Sequence, residues 1–436
     1  MQSAVSNRRA WFVAIVATLT MAVSYIDRQA LSALAPVVTE HLHLDDAQYG
    51  LVQAAFSIAY LVGAPLAGKW IDRVGARRGL VWSMLLWTVV GALHALAPGF
   101  AVLFVLRVML GFAEAPGYPG AAQTMQRVLP PAHRSAGFGV LFTGSSIGAA
   151  IAPLVAVTLA NRFGWRAAFL VTPFVGLLWI PLWRYATRHR GVQHAIDENP
   201  HAASDRPRIF TLVRDPVVSR ALLLIFLSAP PMAFVLMWSA KFLHAAHGVP
   251  QAHMARYLWL PPVFVDVATI AFGALASRRD GRDAAKGLAR RSHKLLVTMA
   301  SLMVASAVTL PFVRDVWPSV VIAGCAYAGG GAIFAMATAD MLARVAPNHV
   351  STASGMSSAA QGVAFVLSNL AIGTVVRATH SYTAIVVLLA MLVVPGAIAW
   401  MARDPNRTHK TKPRAPRLPS PRHDVGQAPE PASLTV

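Results

Sequence analysis

Apolar runs long enough to cross a membrane dominate this chain of 436 residues. A helix needs about 20 mostly apolar residues to cross a hydrocarbon layer roughly 30 Å thick. Twelve runs meet this requirement, in two sets of six. They lie near Trp11 to Val37, Gln48 to Ala67, Leu80 to Ala97, Phe100 to Met125, Ser135 to Ala160, Ala167 to Tyr185, Ser219 to Phe242, Met254 to Ala276, Leu295 to Phe312, Val316 to Leu342, Thr352 to Val376 and Tyr382 to Ala402. The sequence therefore predicts an all-α integral membrane protein.

The composition excludes most soluble classes of protein. Hydrophobic residues make up 56% of the chain and charged residues 13%, whereas soluble domains carry about 25% charged residues. The chain has no nucleophile motif, nucleotide loop or metal-ligand spacing among its histidines. We expect no enzyme activity, no cofactor and no metal.

One polar stretch separates the two sets of helices. Residues Arg184 to Arg220 show no apolar periodicity, so we expect them to remain unburied as a linker. The predicted segments are a six-helix bundle over residues 1–185, a cytoplasmic linker over 186–218, a second bundle over 219–402 and a basic, proline-rich, disordered tail over 403–436.

The net charge of +20 is explained by where the basic residues lie. Most Lys and Arg residues fall in the termini, the linker and the loops on one side, and few fall in the opposite loops. The positive-inside rule places both termini and the linker in the cytoplasm of a bacterial inner membrane, with lipid and no nucleic acid as partner. Arg8-Arg9 also fits an export signal, but Asp27-Arg28 interrupts the following run and eleven spans follow.

A basic motif lies between the second and third predicted helices. Its residues, predicted to form a tight hairpin, are Gly68, Asp72, Arg73, Gly75, Arg77 and Arg78. The motif resembles the signature loop of the major facilitator superfamily. That resemblance implies two pseudo-symmetric six-helix bundles, a transport function and a role for the motif as a conformational gate. Asp72 is expected to pair with a neighbouring arginine or a helix N-terminus; the alternative is a simple turn whose charges set topology.

A weaker copy of this motif follows the eighth helix, at Gly273 to Arg282, with Ser277 where the first copy has Asp72. Two related halves indicate alternating access to a central site by rocking of one bundle against the other.

Each charge within a predicted span costs about 2.5–3.5 kcal/mol on insertion scales, and four such charges fall in the first and fourth helices. They are Asp27 and Arg28 in the first helix and Arg107 and Glu114 in the fourth. Arg107 and Glu114 lie on one helix face, about 10 Å apart. A bound carboxylate would make this neutral cluster negative and favour protonation of Asp27 or Glu114, which would couple anion and proton transport. The alternative is a set of ion pairs that only hold the two helices together.

Two segments carry a closer resemblance. Ser24-Tyr-Ile-Asp-Arg28 and Leu106-Arg107 through Glu114-Ala-Pro116-Gly-Tyr-Pro119 are similar to the anion:cation symporter family, which includes hexuronate and aldonate transporters. The resemblance implies that Arg28 binds a substrate carboxylate, that Asp27 and Glu114 carry protons, and that Arg107 tunes Glu114 or the substrate. We expect import of a sugar acid such as a hexuronate with protons by a monomer. The alternatives are an aromatic or dicarboxylic acid, or a drug or metabolite exporter.

The second half adds further candidates. Trp238 to Lys241 and the segment around Asp266 resemble the hexuronate branch, with Asp266 a proton site, a sugar contact or an ion-pair partner. Gly144 and Gly148 are expected to allow close helix packing. The histidines His94, His244 and His247 are expected at the membrane interface. The candidate walls of the substrate site are Tyr25, Tyr60, Tyr118, Trp238, Tyr327, Gln361 and Asn369.

Overall fold

The computed structural model describes residues 6–197, 209–286, 292–346 and 349–403. Twelve helices within these residues are long and apolar enough to cross a membrane, and no described residue lies in a strand. These helices, α1 to α12, are Asn7–Ala33, Asp46–Val74, Ala76–Leu96, Phe100–Val128, Ala136–Phe163, Trp165–Ala186, Pro216–His247, Gln251–Asp283, Lys294–Phe312, Val316–Leu342, Thr352–Thr379 and Thr383–Ala402. The predicted all-helical fold is confirmed.

Several of these helices are interrupted. α4 consists of Phe100–Glu114 and Gly117–Val128, and the break lies at Pro116, as the prolines of this segment predict. The other interrupted helices are α3 (Ala76–Leu93 and a 3₁₀ turn, His94–Leu96), α6 (Trp165–Val171 and Phe174–Ala186), α8 (Gln251–His253, Ala255–Leu258 and Leu260–Ala285), α9 (Lys294–Ala305 and a 3₁₀ segment, Ser306–Phe312) and α12 (Thr383–Met391 and Val393–Ala402).

We call α1–α6 the N half and α7–α12 the C half. Short connections make successive helices antiparallel, so Asn7, Gly75 and Ala402 lie at one end of the bundle, here called the terminal end. The turns after Ala33 and His247 lie at the opposite end, here called the distal end.

The predicted hairpin over residues 68–79 is wrong in its extent. α2 continues to Val74, so Gly68, Asp72 and Arg73 are helical, and α3 begins at Ala76. Only Gly75 separates the two helices; it has a φ of 83°, and its N–H donates to the carbonyl of Ile71. Glycine adopts this positive φ without the steric cost that a side chain would bring.

The expectation of an unburied linker is also wrong for part of the stretch. Arg190–Asp197 forms a helix in which Val192 and Ile196 are fully buried, and Ile209–Arg214 forms another. The two buried residues are four apart and share one helix face, a short apolar stripe that a longer periodicity test overlooks. Residues 198–208 and the predicted tail over 404–436 lie outside the described residues.

Close helix packing in the N half follows the predicted glycine spacing. A Cβ atom at Gly148 would lie 2.3 Å from the backbone oxygen of Ala22, and one at Gly144 would lie 2.6 Å from that of Thr18. These glycines of α5 therefore let its backbone approach that of α1, as predicted.

The two halves are joined at the distal end. The Nζ atom of Lys241 lies 2.5 Å from a carboxylate oxygen of Asp46, and Nε of Arg377 lies 3.4 Å from Asp45. Gln251 donates a hydrogen bond to the carbonyl of Ala33 (2.9 Å). The two ion pairs hold α2 of the N half against α7 and α11 of the C half, and the hydrogen bond of Gln251 holds α8 against α1.

Candidate functional site

Arg28 and Glu114 form an ion pair between α1 and α4. Nη2 of Arg28 lies 2.9 Å from Oε2 of Glu114, and the two side chains are 12% and 0% exposed. The hydroxyl of Ser24, one turn before Arg28, donates to the same carboxylate oxygen (2.6 Å) and accepts from Arg28 (3.3 Å). Two charges that would each be costly inside a membrane therefore neutralise one another.

Three aromatic rings surround the guanidinium of Arg28. The ring centroids of Tyr25, Phe56 and Tyr60 lie 4.7, 4.5 and 4.8 Å from its Cζ atom. Cation–π contacts of this kind favour the charged guanidinium and hold its plane in place. A planar group held in this way is suited to bind a carboxylate through two parallel hydrogen bonds.

Asp27 and Arg107 form no direct ion pair with Arg28 or Glu114 among the described residues, although both lie within electrostatic reach of Glu114. Successive residues of a helix point about 100° apart, which is why Asp27 and its neighbour Arg28 face different directions. Nη2 of Arg107 donates to Oε1 of Gln53 (3.0 Å) rather than to Glu114. Asp27 and Arg107 instead line a small cavity between α1, α3, α4 and α6.

A continuous path of hydrogen bonds leads from Arg107 to the contact between the halves. Gln53, which accepts from Arg107, donates to the hydroxyl of Tyr49 (2.7 Å), and that hydroxyl donates to the backbone carbonyl of Met237 (2.6 Å). The sequence reasoning missed Gln53 and Tyr49. The one signal that the sequence offers for Gln53 is its position as a polar amide within an otherwise apolar run.

The predicted wall residues are spread over several places in the structure. Tyr25 and Tyr60 face Arg28, and Tyr327 of the C half lies within electrostatic reach of Tyr25 and half-buried Asp266. Tyr327 also lines a cavity between the halves with Gln29 and other residues of α1, α5, α7 and α8.

Trp238 and Asn369 belong to the distal contact. Both are fully buried, and the indole Nε1 of Trp238 donates to Oδ1 of Asn369 (2.8 Å). The indole also packs edge-to-face on Tyr49, with ring centroids 4.9 Å apart. The remaining two candidates are half-buried: Tyr118 packs on Phe142, and Gln361 lies 3.8 Å from the sulfur of Met232.

Asp266 of α8 interacts across the two halves. Its carboxylate lies close to the hydroxyl of Ser146 in α5, a neutral group rather than the basic partner that one reading of the sequence allowed. Asp266 therefore lies between the halves at the level of the cavity that Tyr327 lines.

The predicted gate residues have partners other than those expected. Asp72 accepts a hydrogen bond from Nε2 of Gln123 in α4 (2.7 Å), not from Arg73, Arg77 or Arg78. Nη2 of Arg77 lies 3.1 Å from Asp197 of the linker helix. Arg73 and Arg78 are exposed.

His94 corrects the prediction of an interfacial histidine. It is 1% exposed, and its ring is stacked on Phe169 with centroids 5.8 Å apart. His244 is exposed and His247 half-buried at the distal end. His94 begins the 3₁₀ turn that ends α3, in an apolar context, so predicting its burial inside the N half required knowledge of how α6 packs.

Known proteins resemble this chain over most of its length. The family model described as the Major Facilitator Superfamily matches residues 17–289. A galacturonate transporter of Dickeya chrysanthemi is 28% identical over 331 residues, which cover 73% of this chain and 95% of the relative. A hexuronate transporter of Escherichia coli strain K12 is 26% identical over 431 residues, covering 95% of this chain and 98% of the relative.

A solved structure shares the fold. It is a bacterial homologue of the human lysosomal transporter Spinster, with a TM-score of 0.74 at 19% identity, and the match covers 92% of this chain and 98% of that chain. At this sequence identity, the similarity supports only the arrangement of the helices. The matched family model, the twelve membrane helices and this shared fold together show that the chain is a multi-pass membrane transporter that belongs to the Major Facilitator Superfamily.

Proposed function

We propose that this protein imports a small sugar acid, with hexuronates as the first candidates, together with one or more protons across the bacterial inner membrane. The observation that carries the proposal is the ion pair of Arg28 with Glu114 inside a ring of aromatic side chains. The similarity to galacturonate and hexuronate transporters supports the choice of substrate class.

The ion pair offers a direct exchange of partners. A substrate carboxylate that binds Arg28 takes the place of Glu114, whose side chain is 0% exposed. An ionised carboxylate left without its cation in such a site is costly, so Glu114 takes up a proton. Anion binding and proton uptake are then one event, and Tyr25 and Tyr60 supply hydroxyls and ring faces for the sugar.

The charge distribution supports an orientation with the terminal end in the cytoplasm. In that orientation the contact of Lys241 with Asp46 closes the periplasmic side. Alternating access then requires this distal contact to open while the motif around Asp72 and Gly75 brings the halves together at the terminal end. We expect a monomer to carry out this cycle.

Uptake by proteoliposomes tests the proposal. Labelled galacturonate and glucuronate should accumulate under an inward proton gradient, whereas neutral galactose should not, and a protonophore should abolish accumulation. Arg28→Ala should lose uptake, while Arg162→Ala, which removes the same charge from an exposed distal position, should retain it. Absence of uptake of either acid would reject the sugar-acid assignment. Normal uptake by Arg28→Ala would reject the site.

A further inference from the structure

A small cavity lies inside the N half, beside the aromatic side chains around Arg28: the Cζ atom of Arg107, which lines the cavity, lies 5.3 Å from the ring centroid of Phe56. It offers about 10 Å³ of room for the centre of a water-sized molecule, which corresponds to roughly one bound water. Its walls come from four helices of the N half. The lining residues are Asp27, Gly91, His94, Arg107, Leu110, Phe169, Thr172 and Pro173.

Four of these residues bring buried polar atoms that have no hydrogen-bond partner among the described residues. They are both carboxylate oxygens of Asp27, Nε2 of His94, Nε and Nη1 of Arg107 and Oγ1 of Thr172. A buried polar group left without a partner destabilises the protein because it has lost its hydrogen bonds to water. Such groups converging on one cavity indicate a polar occupant.

The hydrogen-bonding capacity of the walls matches that of water. Nδ1 of His94 lies 2.9 Å from the carbonyl of Val90, so this nitrogen carries the proton and Nε2 is left as an acceptor. Asp27 adds a second acceptor, while Arg107 and Thr172 supply donors. A water molecule donates twice and accepts twice, so it satisfies one group from each of the four helices.

We propose that this cavity binds a structural water that bridges Asp27, His94, Arg107 and Thr172. The water hydrates the Asp27 carboxylate without admitting the substrate, because the cavity has room for only about one water molecule. The groups that act on Asp27 are then His94 of α3, Arg107 and Glu114 of α4 and Thr172 of α6. His94 and Thr172 are positioning residues for the water.

The water gives Asp27 a partner for proton exchange that is separate from the substrate site. This role rests on the proposed function, whereas the water site itself does not. Asp27 and His94 lie near the distal ends of α1 and α3, the side from which protons enter in the proposed orientation.

X-ray hydroxyl-radical footprinting of the purified full chain tests for the water. Radicals formed from a bound water modify adjacent side chains even where bulk solvent does not reach them. Phe169, 4% exposed in the cavity wall, should be modified at least fivefold faster than Phe234, which is 2% exposed and does not line the cavity. Equal rates for the two residues would overturn the water site.

A second arm tests the role of the water. Thr172→Val keeps the shape of the side chain and removes its hydroxyl; it should retain galacturonate exchange without a gradient but reduce proton-driven accumulation severalfold. Thr172→Ser should restore accumulation. Normal accumulation by Thr172→Val, with the footprint of Phe169 intact in the wild type, would overturn the role in proton exchange.

The two arms separate this inference from the proposed function. A wild-type protein that accumulates galacturonate but shows no fast modification of Phe169 contradicts the water site alone. Fast modification of Phe169 without uptake of any sugar acid supports the water site and contradicts the proposed function.

Discussion

The hydroxyl of Tyr49 in α2 donates a hydrogen bond of 2.6 Å to the backbone carbonyl of Met237 in α7, which fastens a side chain of the N half to the main chain of the C half. The same hydroxyl accepts from Gln53, and Gln53 accepts from Arg107. The distal contact is therefore linked by hydrogen bonds to a buried charge in the N half.

Removal of this hydroxyl should weaken closure at the distal end. A hydrogen bond of this kind contributes about 0.5–1.5 kcal/mol, so Tyr49→Phe should shift the ratio of distal-closed to distal-open molecules roughly twofold to tenfold toward open. Spin labels at exposed Glu40 and Ala245, in a background with Cys325 replaced by serine, would report the change as a longer distance distribution.

Tyr257→Phe is the matched control for that experiment. Tyr257 packs on Trp317 within the C half, with ring centroids 4.9 Å apart, and it lies at the same end of the bundle. The distance distribution between the spin labels in Tyr257→Phe should equal that of the unsubstituted protein. A Tyr49→Phe distribution identical to that of the control would contradict a role for the hydroxyl in closure.

The close approach of α5 to α1 should make Gly148 intolerant of a side chain. A Cβ atom there would lie 2.3 Å from the backbone oxygen of Ala22, whereas one at Gly139 of the same helix would meet nothing within 4 Å. Overpacking of this kind costs about 1–3 kcal/mol. Gly148→Ala should therefore lower the melting temperature in detergent by several degrees.

Gly139→Ala serves as the comparison, because alanine favours a helix over glycine by about 1 kcal/mol. We expect its melting temperature to equal or exceed that of the unsubstituted protein. Equal melting temperatures for the two alanine variants would show that α5 and α1 are farther apart than described.

The linker helix Arg190–Asp197 should be held by its apolar face rather than by its ion pair. Val192 is fully buried, and burial of such a side chain contributes about 1.5–3 kcal/mol. The pair of Arg77 with Asp197 is 26% and 39% exposed, and exposed pairs contribute about 0–1 kcal/mol. Val192→Asp should therefore release the helix, whereas Asp197→Ala should leave it docked.

Limited digestion with trypsin measures this difference. Cleavage after Arg188 and Arg190 should be roughly tenfold faster in Val192→Asp, and within twofold of the unsubstituted protein in Asp197→Ala and in the control Gln193→Ala. If Asp197→Ala were cleaved as fast as Val192→Asp, the ion pair would be the dominant contact.

The positions of the membrane helices were predictable from the sequence because each crossing requires a continuous run of apolar residues. The break at Pro116 and the glycine contact at Gly148 were also predictable, since each depends on one residue type in a known setting. The end of α2 was not, because Asp72 and Arg73 are charged and yet remain helical up to Gly75.

The buried charges could be identified from the sequence, but their pairing could not. Spacing along α4 placed Arg107 and Glu114 on one face, yet their partners are Gln53 and Arg28, on two other helices. Which groups meet depends on the rotation of α1 and α2 against α4. Uncharged residues such as Ser24 and Gln53 give little signal in one sequence, although they satisfy the buried charges here.

In the proposed transport cycle, substrate replaces Glu114 at Arg28 and Glu114 then takes up a proton. Purified protein in weakly buffered detergent solution, with a pH-indicator dye, tests this most directly when galacturonate is added. We expect the unsubstituted protein to take up about one proton, at Glu114, for each galacturonate bound. Glu114→Gln should bind galacturonate without taking up this proton. Equal proton uptake by the two proteins, or binding by the unsubstituted protein without any proton uptake, would contradict it.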